Sequence, residues 1–453
     1  MSQRSNFSSK IGFVLAAAGS AVGLGNLWRF PYLAAKYGGG TFLLVYLILA
    51  VTFGFSLMIA EIAIGRKTGL SAIGAFKKLD KRFGFLGVLA AIIPIIIFPY
   101  YSVIGGWVIK YFVTFVTGNV QAAADDAYFN NFIGTTGEPI GWFCLFIAFT
   151  SIIVLLGVEK GIETVSKFMM PVLVILTVII AGYGLTVDGA IDGLIYYVKP
   201  SMENFSGMTV IAAMGQLFYS MSLAMGIMIT YGSYVKKDVD LNKAVSQIEI
   251  MDTGVAFLAG VMIIPAVFVF SGLDGMSAGP GLMFVSLPKV FYSMGTVGRV
   301  IGILFFVLAG FAALTSCISV LESITANCME LFHTERKKTT RVLSVIYFIA
   351  TAVIALGYSI FYVEVALPNG STGQLLDIMD YISNSFMMPF ISLLSAILIG
   401  WIMKPSWIAE EMELNGEKFK RKKLYNVMMR YIMPVIMVIL FLQSTGVLNL
   451  IMK

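Results

Sequence analysis

Between Gly19 and Pro31 the chain reads GSAVGLGNLWRFP, which begins inside a charge-free apolar run over residues 11–28 and continues three residues past it. Three glycines fall within seven residues (Gly19, Gly23, Gly25), and Arg29 and Pro31 follow. Glycine and proline at such density weaken the intrahelical ladder, so this run reads as a spanning helix that breaks partway across. A second run, residues 204–235, carries Gly215, Ser220, Ser222 and Gly226 near its middle.

The remaining sequence supplies the frame for these two segments. Of 453 residues, 58% are hydrophobic and 12% charged, about half the charge of a soluble domain. Too few polar side chains exist to coat a surface in water. Disorder, a secreted disulfide scaffold and an ordinary cytosolic enzyme are excluded. The fold class is an all-α polytopic membrane protein whose surrounding partner is the lipid bilayer. Spanning requires about 20 apolar residues. Eleven runs approach that length: residues 11–28, 37–60, 83–109, 139–158, 168–187, 204–235, 253–273, 300–321, 342–363, 381–403 and 431–452. Each is expected to extend into its charged flanks. The stretch 275–288, short and rich in Gly and Pro, reads as a loop.

Basic residues set the orientation. Arg66, Lys67, Lys77, Lys78, Lys81 and Arg82 lie between helices 2 and 3, and Lys236, Lys237 and Lys243 follow helix 6. Arg336, Lys337, Lys338 and Arg341 follow helix 8, and Lys418, Lys420, Arg421, Lys422 and Lys423 precede helix 11. All share one face if the N-terminus is cytoplasmic, which places the C-terminus outside. The net charge of +6 is thereby explained by topology and calls for no nucleic acid. No obligate protein partner is evident. The cysteines (Cys144, Cys317, Cys328) form no CxxC pair and His333 is the only histidine, so neither a zinc site nor a disulfide framework is expected.

The two broken helices are the first and the sixth, corresponding positions in a five-plus-five arrangement. Matching interrupted helices point to an inverted-repeat transporter with its site at mid-membrane. The expected division is a first inverted repeat at 1–200, a second at 201–404, and a loop with an eleventh helix at 405–453.

The Gly19–Pro31 string, Glu61 in AEIAIGR, Tyr100-Tyr101 before Gly105-Gly106-Trp107, GQLFYSMSLAMG from Gly215 and LTSCIS from Leu314 together resemble the neurotransmitter:sodium symporters, over essentially the whole chain. The resemblance implies two sodium ions. One would take the Ala21 carbonyl, Asn26, Ser220, Asp252 and the substrate carboxylate. The other would take carbonyls of Gly19, Val22 and Ala312 with the hydroxyls of Thr315 and Ser316. Taken alone, those two hydroxyls could equally bond the preceding turn of their own helix. It further implies that backbone N–H groups near Leu24 and Gly25, with Tyr101, receive a substrate carboxylate. Carbonyls near Ala21 and from Tyr219 to Ser222 would receive the amino group, between walls of Val22, Ile97, Tyr219, Ser222, Met225, Ser316 and Val320. Those walls are mostly apolar and uncharged, favouring a neutral hydrophobic or aromatic amino acid.

Arg29 and Asp380 match an extracellular gate, with Tyr101 and Tyr219 as the lid; Arg4, Tyr234 and Glu330 match a cytoplasmic one. Asp252 stands where relatives often place asparagine, and Ala256 where chloride-dependent relatives have serine. A fixed carboxylate beside sodium could supply the charge that chloride otherwise brings, so chloride-independent symport is expected. Gly161 and Pro171, with nine residues between them, match a pattern that relatives use for a water path to the inner sodium. Eleven spans replace the usual twelve, and the termini are short, as in a bacterial inner-membrane protein. The alternative on the same fold is proton-coupled or uncoupled transport of another small zwitterion. A channel lacks a visible filter, an enzyme lacks an acid–base or metal set, and a receptor would not explain paired broken helices.

Overall fold

The computed structural model describes residues 6–272, 275–276, 278–368 and 370–448. Among the described residues, nine continuous helices are long and apolar enough to span. They are helix 2 (Gly40–Thr68), helix 3 (Lys81–Val116), helix 4 (Glu138–Leu155), helix 5 (Val158–Gly184), helix 7 (Leu241–Ser271), helix 8 (Gly295–Phe332), helix 9 (Arg336–Tyr358), helix 10 (Leu375–Ile402) and helix 11 (Lys422–Ser444). Helix 1 is a pair, Lys10–Ala21 and Gly25–Lys36, bent by 53°. Helix 6 is two shorter pieces, Gly207–Ser220 and Ile227–Gly232. The chain is therefore a multi-pass membrane protein with its first and sixth helices broken.

Each break has a local cause. Val22, with ψ 94°, leaves the helical region and ends the first half of helix 1. In helix 6 the chain passes through positive φ at Ser222 (52°), Ala224 (64°) and Gly226 (69°). Two of these are not glycine, so their conformation costs about 1–2 kcal/mol per residue and must be held from outside. Glu61 on helix 2 holds it: its Oε1 accepts from the Ala224 N–H at 2.6 Å. The Ser222 hydroxyl donates to the Ser20 carbonyl at 2.8 Å, tying one break to the other.

Helix 8 lies along helix 3, and helices 1, 5, 7 and 8 pack around one another. Large apolar side chains face outward on the perimeter, Phe168 at 65% exposure and Val345 at 63%, as lipid contact demands. One expectation is corrected. The stretch 275–288 is not wholly loop, because a short helix, Leu282–Ser293, begins within it. Its apolar face, with Leu282, Met283 and Leu287 buried, packs on the bundle and compensates for a length too short to span. Helix 11 begins at Lys422, nine residues before the apolar run expected at residue 431. Lys422 reaches Glu413 at 2.8 Å and buried Tyr425 packs inward, so the charged turn is helical.

Candidate functional site

The two breaks face one cavity, lined by Ser20, Ala21, Gly23, Gly25 and Asn26 from helix 1, and Tyr219, Ser220, Ser222 and Met225 from helix 6. Ile97, Tyr100 and Tyr101 of helix 3, Ser316 and Val320 of helix 8, and Asn384 of helix 10 complete it. No charged side chain lines it among the described residues. Of the expected substrate residues, all meet here except Val22 and Leu24, which are buried beside it. Leu24 contributes its backbone, whose N–H donates to the Tyr101 hydroxyl at 3.2 Å. Gly25 has no room for a larger residue, since a Cβ would sit 2.5 Å from the Tyr219 ring. Ser20, Gly23, Tyr100 and Asn384 join the cavity beyond the expected set. Asn384 lies one turn beyond Asp380, a spacing visible in the sequence that carries no chemistry by itself.

A cluster of oxygens adjoins the cavity. The Asp252 carboxylate is fully buried, accepting from Asn26 Nδ2 at 2.8 Å and from the Ser220 hydroxyl at 2.8 and 3.1 Å. The Tyr46 hydroxyl lies 3.5 Å from its other oxygen. Asn26 Oδ1 accepts from the Gly23 N–H at 3.2 Å and from Ser220 at 3.3 Å. Asp252 makes no ion pair among the described residues. A buried carboxylate without a cationic side chain is costly unless a cation or proton joins it, so the donor set fits a hard monovalent cation.

A second group gathers where helix 8 meets the end of helix 1. The Ser316 hydroxyl lies 3.4 and 3.3 Å from the Gly19 and Ser20 carbonyls. Thr315 Oγ1 donates to the Phe311 carbonyl at 2.9 Å, with the Ala312 carbonyl at 3.3 Å. The back-bonding of Thr315 is thus present, and it leaves the hydroxyl's lone pairs free to bind a cation.

Toward the face opposite the N-terminus, a wider chamber is lined by Arg29, Leu33, Tyr219, Asp380 and Asn384 among others. Tyr219 and Asn384 border both spaces and separate them. The expected Arg29–Asp380 pair is not formed among the described residues. Asp380 accepts from Tyr100 at 3.1 Å and Asn384 at 2.6 Å, and the Arg29 guanidinium lies over the Tyr219 ring, 5.0 Å from its centre.

On the N-terminal face the expected set of Arg4, Tyr234 and Glu330 is divided. Arg4 lies outside the described residues. Glu330 accepts from the Ser71 N–H at 2.8 Å and its hydroxyl at 2.6 Å, capping the helix Ala72–Leu79. The Tyr234 hydroxyl donates to Glu322 Oε1 at 2.7 Å. Glu322, fully buried, also accepts from both terminal guanidinium nitrogens of Arg336, Nη1 and Nη2, the latter at 2.8 Å. Sequence reading missed this pair. Its signal was an acid one residue past an apolar run and an arginine heading the next helix. Gly161 sits in a wide turn, Val158–Glu163, that opens helix 5, while Pro171 lies inside the helix proper.

Comparison with known proteins agrees with this architecture. The model of the sodium:neurotransmitter symporter family matches residues 4–132 and 128–451. The chain is 34% identical to a Bacillus subtilis (strain 168) protein named "Uncharacterized sodium-dependent transporter YhdH", over 98% of both chains. A Haemophilus influenzae protein named as an uncharacterized sodium-dependent transporter is 32% identical, again over 98% of each. The crystal structure of MhsT in complex with L-phenylalanine superposes with a TM-score of 0.86 at 37% identity, covering 97% of this chain and 100% of that one.

Proposed function

Because the chain belongs to the sodium:neurotransmitter symporter family, and so is a sodium-dependent transporter rather than an enzyme, we propose that it carries neutral hydrophobic or aromatic amino acids into the cell. The observation that supports this most is the cavity between the two breaks. It has apolar and aromatic walls at Ile97, Tyr101, Tyr219, Met225 and Val320, and no charged side chain among the described residues. A charged side chain on the substrate would find no partner there, while the α-carboxylate and α-amino groups can be met by the exposed ends of broken helices. The phenylalanine bound in the MhsT structure is of the same chemical class.

In this reading two sodium ions travel with the substrate, one at Ala21, Asn26, Ser220 and Asp252 and one at Gly19, Val22, Ala312, Thr315 and Ser316. The Asp252 carboxylate makes chloride unnecessary. Helices 1–5 and 6–10 form the two inverted repeats, and the N-terminus lies in the cytoplasm of a cell whose inner membrane holds the protein. Arg29 and Asp380 close the outer chamber when they meet over Tyr219. Access alternates because the halves of helices 1 and 6 move separately across their breaks.

The test is uptake of a panel of radiolabelled amino acids into proteoliposomes under an inward sodium or potassium gradient. Accumulation of leucine, tryptophan or phenylalanine in sodium only is expected. Equal uptake in both salts would replace sodium coupling with proton-coupled or uncoupled transport on the same fold. A narrower prediction concerns Tyr101→Phe. Losing the hydroxyl that meets Leu24 N–H, and in this reading the substrate carboxylate, should weaken substrate binding about 10- to 100-fold, the range for one hydrogen bond to a charged group. Equilibrium binding of labelled substrate in saturating sodium measures it.

A further inference from the structure

On the N-terminal face, the head of helix 7 borders a groove of about 620 Å³ that it shares with helix 2 and the chain leading into helix 11. Helix 7 turns one stripe of residues to this groove. Lys243, Ser246 and Gln247 lie at its polar upper end, and Ile250, 69% exposed, lies about one turn below them. Further along the same stripe, nothing stands within 4 Å of where a Cβ on Gly254 would be, so the space beside it is open. Helix 2 adds exposed Ile48 and Val51 to the apolar lower side. Three contacts lay Arg421 down across the top of helix 2. Its guanidinium lies over the Phe55 ring, 4.0 Å from the centre, pairs with Glu249 at 3.1 Å, and donates to the Val51 carbonyl at 3.2 Å, within the wide turn Ala50–Gly54. Lys418 and Lys420 line the groove beside it, both exposed.

We propose that this groove binds one anionic phospholipid, its phosphate held between Lys418, Lys420 and the head of helix 7 and an acyl chain running past Ile250 toward Gly254. Basic pockets between helices at a membrane surface attract acidic headgroups, and here the charges can be sorted. Lys243 is paired with Asp240 at 3.1 Å and Arg421 with Glu249, so both are largely neutralised. Lys418 and Lys420 make no ion pair among the described residues. Glu417 is the remaining acid of the groove, and its Oε2 is buried rather than offered to a ligand. Ser246 and Gln247 make no side-chain hydrogen bond among the described residues, which leaves a hydroxyl and an amide to donate to phosphate or headgroup oxygens. Free phosphate would use only the polar end of the groove. A zwitterionic lipid would bring a second cation against the two lysines. An anionic lipid matches both the charge and the change from polar to apolar between Gln247 and Ile250.

Native mass spectrometry of the full-length protein, titrated in detergent with phosphatidylglycerol or with phosphatidylcholine, tests the site. The first phosphatidylglycerol should bind about tenfold more tightly than phosphatidylcholine, and Lys418→Gln/Lys420→Gln should weaken it about 30-fold, the loss for two lysines facing an anionic headgroup. Lys337→Gln/Lys338→Gln removes an exposed basic pair from the head of helix 9, on the same face and outside the groove, and should leave that binding unchanged. Ile250→Ser should weaken phosphatidylglycerol severalfold through the chain, and millimolar inorganic phosphate should not displace it. If the first double variant does not fold, Lys420→Gln alone carries the same comparison. Equal weakening by the two lysine pairs would mean that the whole basic face attracts acidic lipid, and would overturn the site. Equal binding of the two lipids would overturn it as well. Displacement by inorganic phosphate, or an Ile250→Ser variant that binds like the unmodified protein, would overturn the assignment to a lipid.

Discussion

Replacing Asp252 by alanine should abolish sodium-dependent uptake at ordinary sodium concentrations, through a loss of sodium affinity of about a thousandfold. The carboxylate is fully buried and its partners are Asn26, Ser220 and Tyr46, all neutral. At a separation of about 4 Å and an effective dielectric of about 20, a carboxylate and a monovalent cation attract by about 4 kcal/mol. With 1.4 kcal/mol per factor of ten, that gives the thousandfold. Asp252→Asn retains an acceptor for Asn26 and loses the charge, so its affinity should fall nearly as far while the fold survives. The unmodified protein should take up substrate equally in chloride and in gluconate. Ala256, buried one turn along helix 7, carries no hydroxyl that could hold an anion. The combined Asp252→Asn/Ala256→Ser variant should accordingly regain uptake in chloride and not in gluconate. Collapse of wild-type uptake in gluconate would show that Asp252 does not replace the anion.

The break in helix 1 was legible because glycine density is a local signal: Gly19, Gly23 and Gly25 lie next to the turn they permit. The sixth helix was legible only as interrupted. Its break lies at 221–226, where Ser222 and Ala224 adopt positive φ, and nothing in those two residue types announces it. The conformation is imposed by Glu61, 163 residues earlier. The residues expected to line the cavity came from the resemblance that the motif strings carry, and Ser20, Gly23, Tyr100 and Asn384 lie outside that set. The charged networks were not legible. Asp380 could pair with Arg29 on charge alone, yet Tyr100 and Asn384 reach it, and Arg29 takes the Tyr219 ring instead. Partner choice among long polar side chains depends on distances that sequence does not contain. The start of helix 11 lies in the charged flank into which its apolar run was expected to extend. Lys422 and Lys423 extend an apolar stem with a charged tip and can head a membrane helix that a hydropathy window truncates.

Removing either member of the Glu322–Arg336 pair should destabilise the protein by about 3–5 kcal/mol, the cost of leaving a buried charge without its counterpart. Glu322 is fully buried in helix 8, and the Arg336 side chain that reaches it from the head of helix 9 is 16% exposed. Tyr234 donates to the same carboxylate, so the pair also ties down the chain just after the second piece of helix 6. Glu322→Ala strands the guanidinium beside neutral groups such as the Val154 carbonyl at 3.4 Å. Arg336→Ala strands the carboxylate with one neutral donor. Both should lower the unfolding midpoint of the detergent-solubilised protein by several degrees, read from intrinsic tryptophan fluorescence. Glu322→Gln combined with Arg336→Met should recover most of the loss, because it keeps volume and the Tyr234 bond while removing both charges. Single variants that unfold like the unmodified protein would mean that water reaches this site and screens it. Glu322 has no basic residue within a helical turn, and its counterion sits on the next helix. Separating helices 8 and 9 would therefore leave both charges unpaired, which ties the head of helix 9 to helix 8 and to the chain after helix 6.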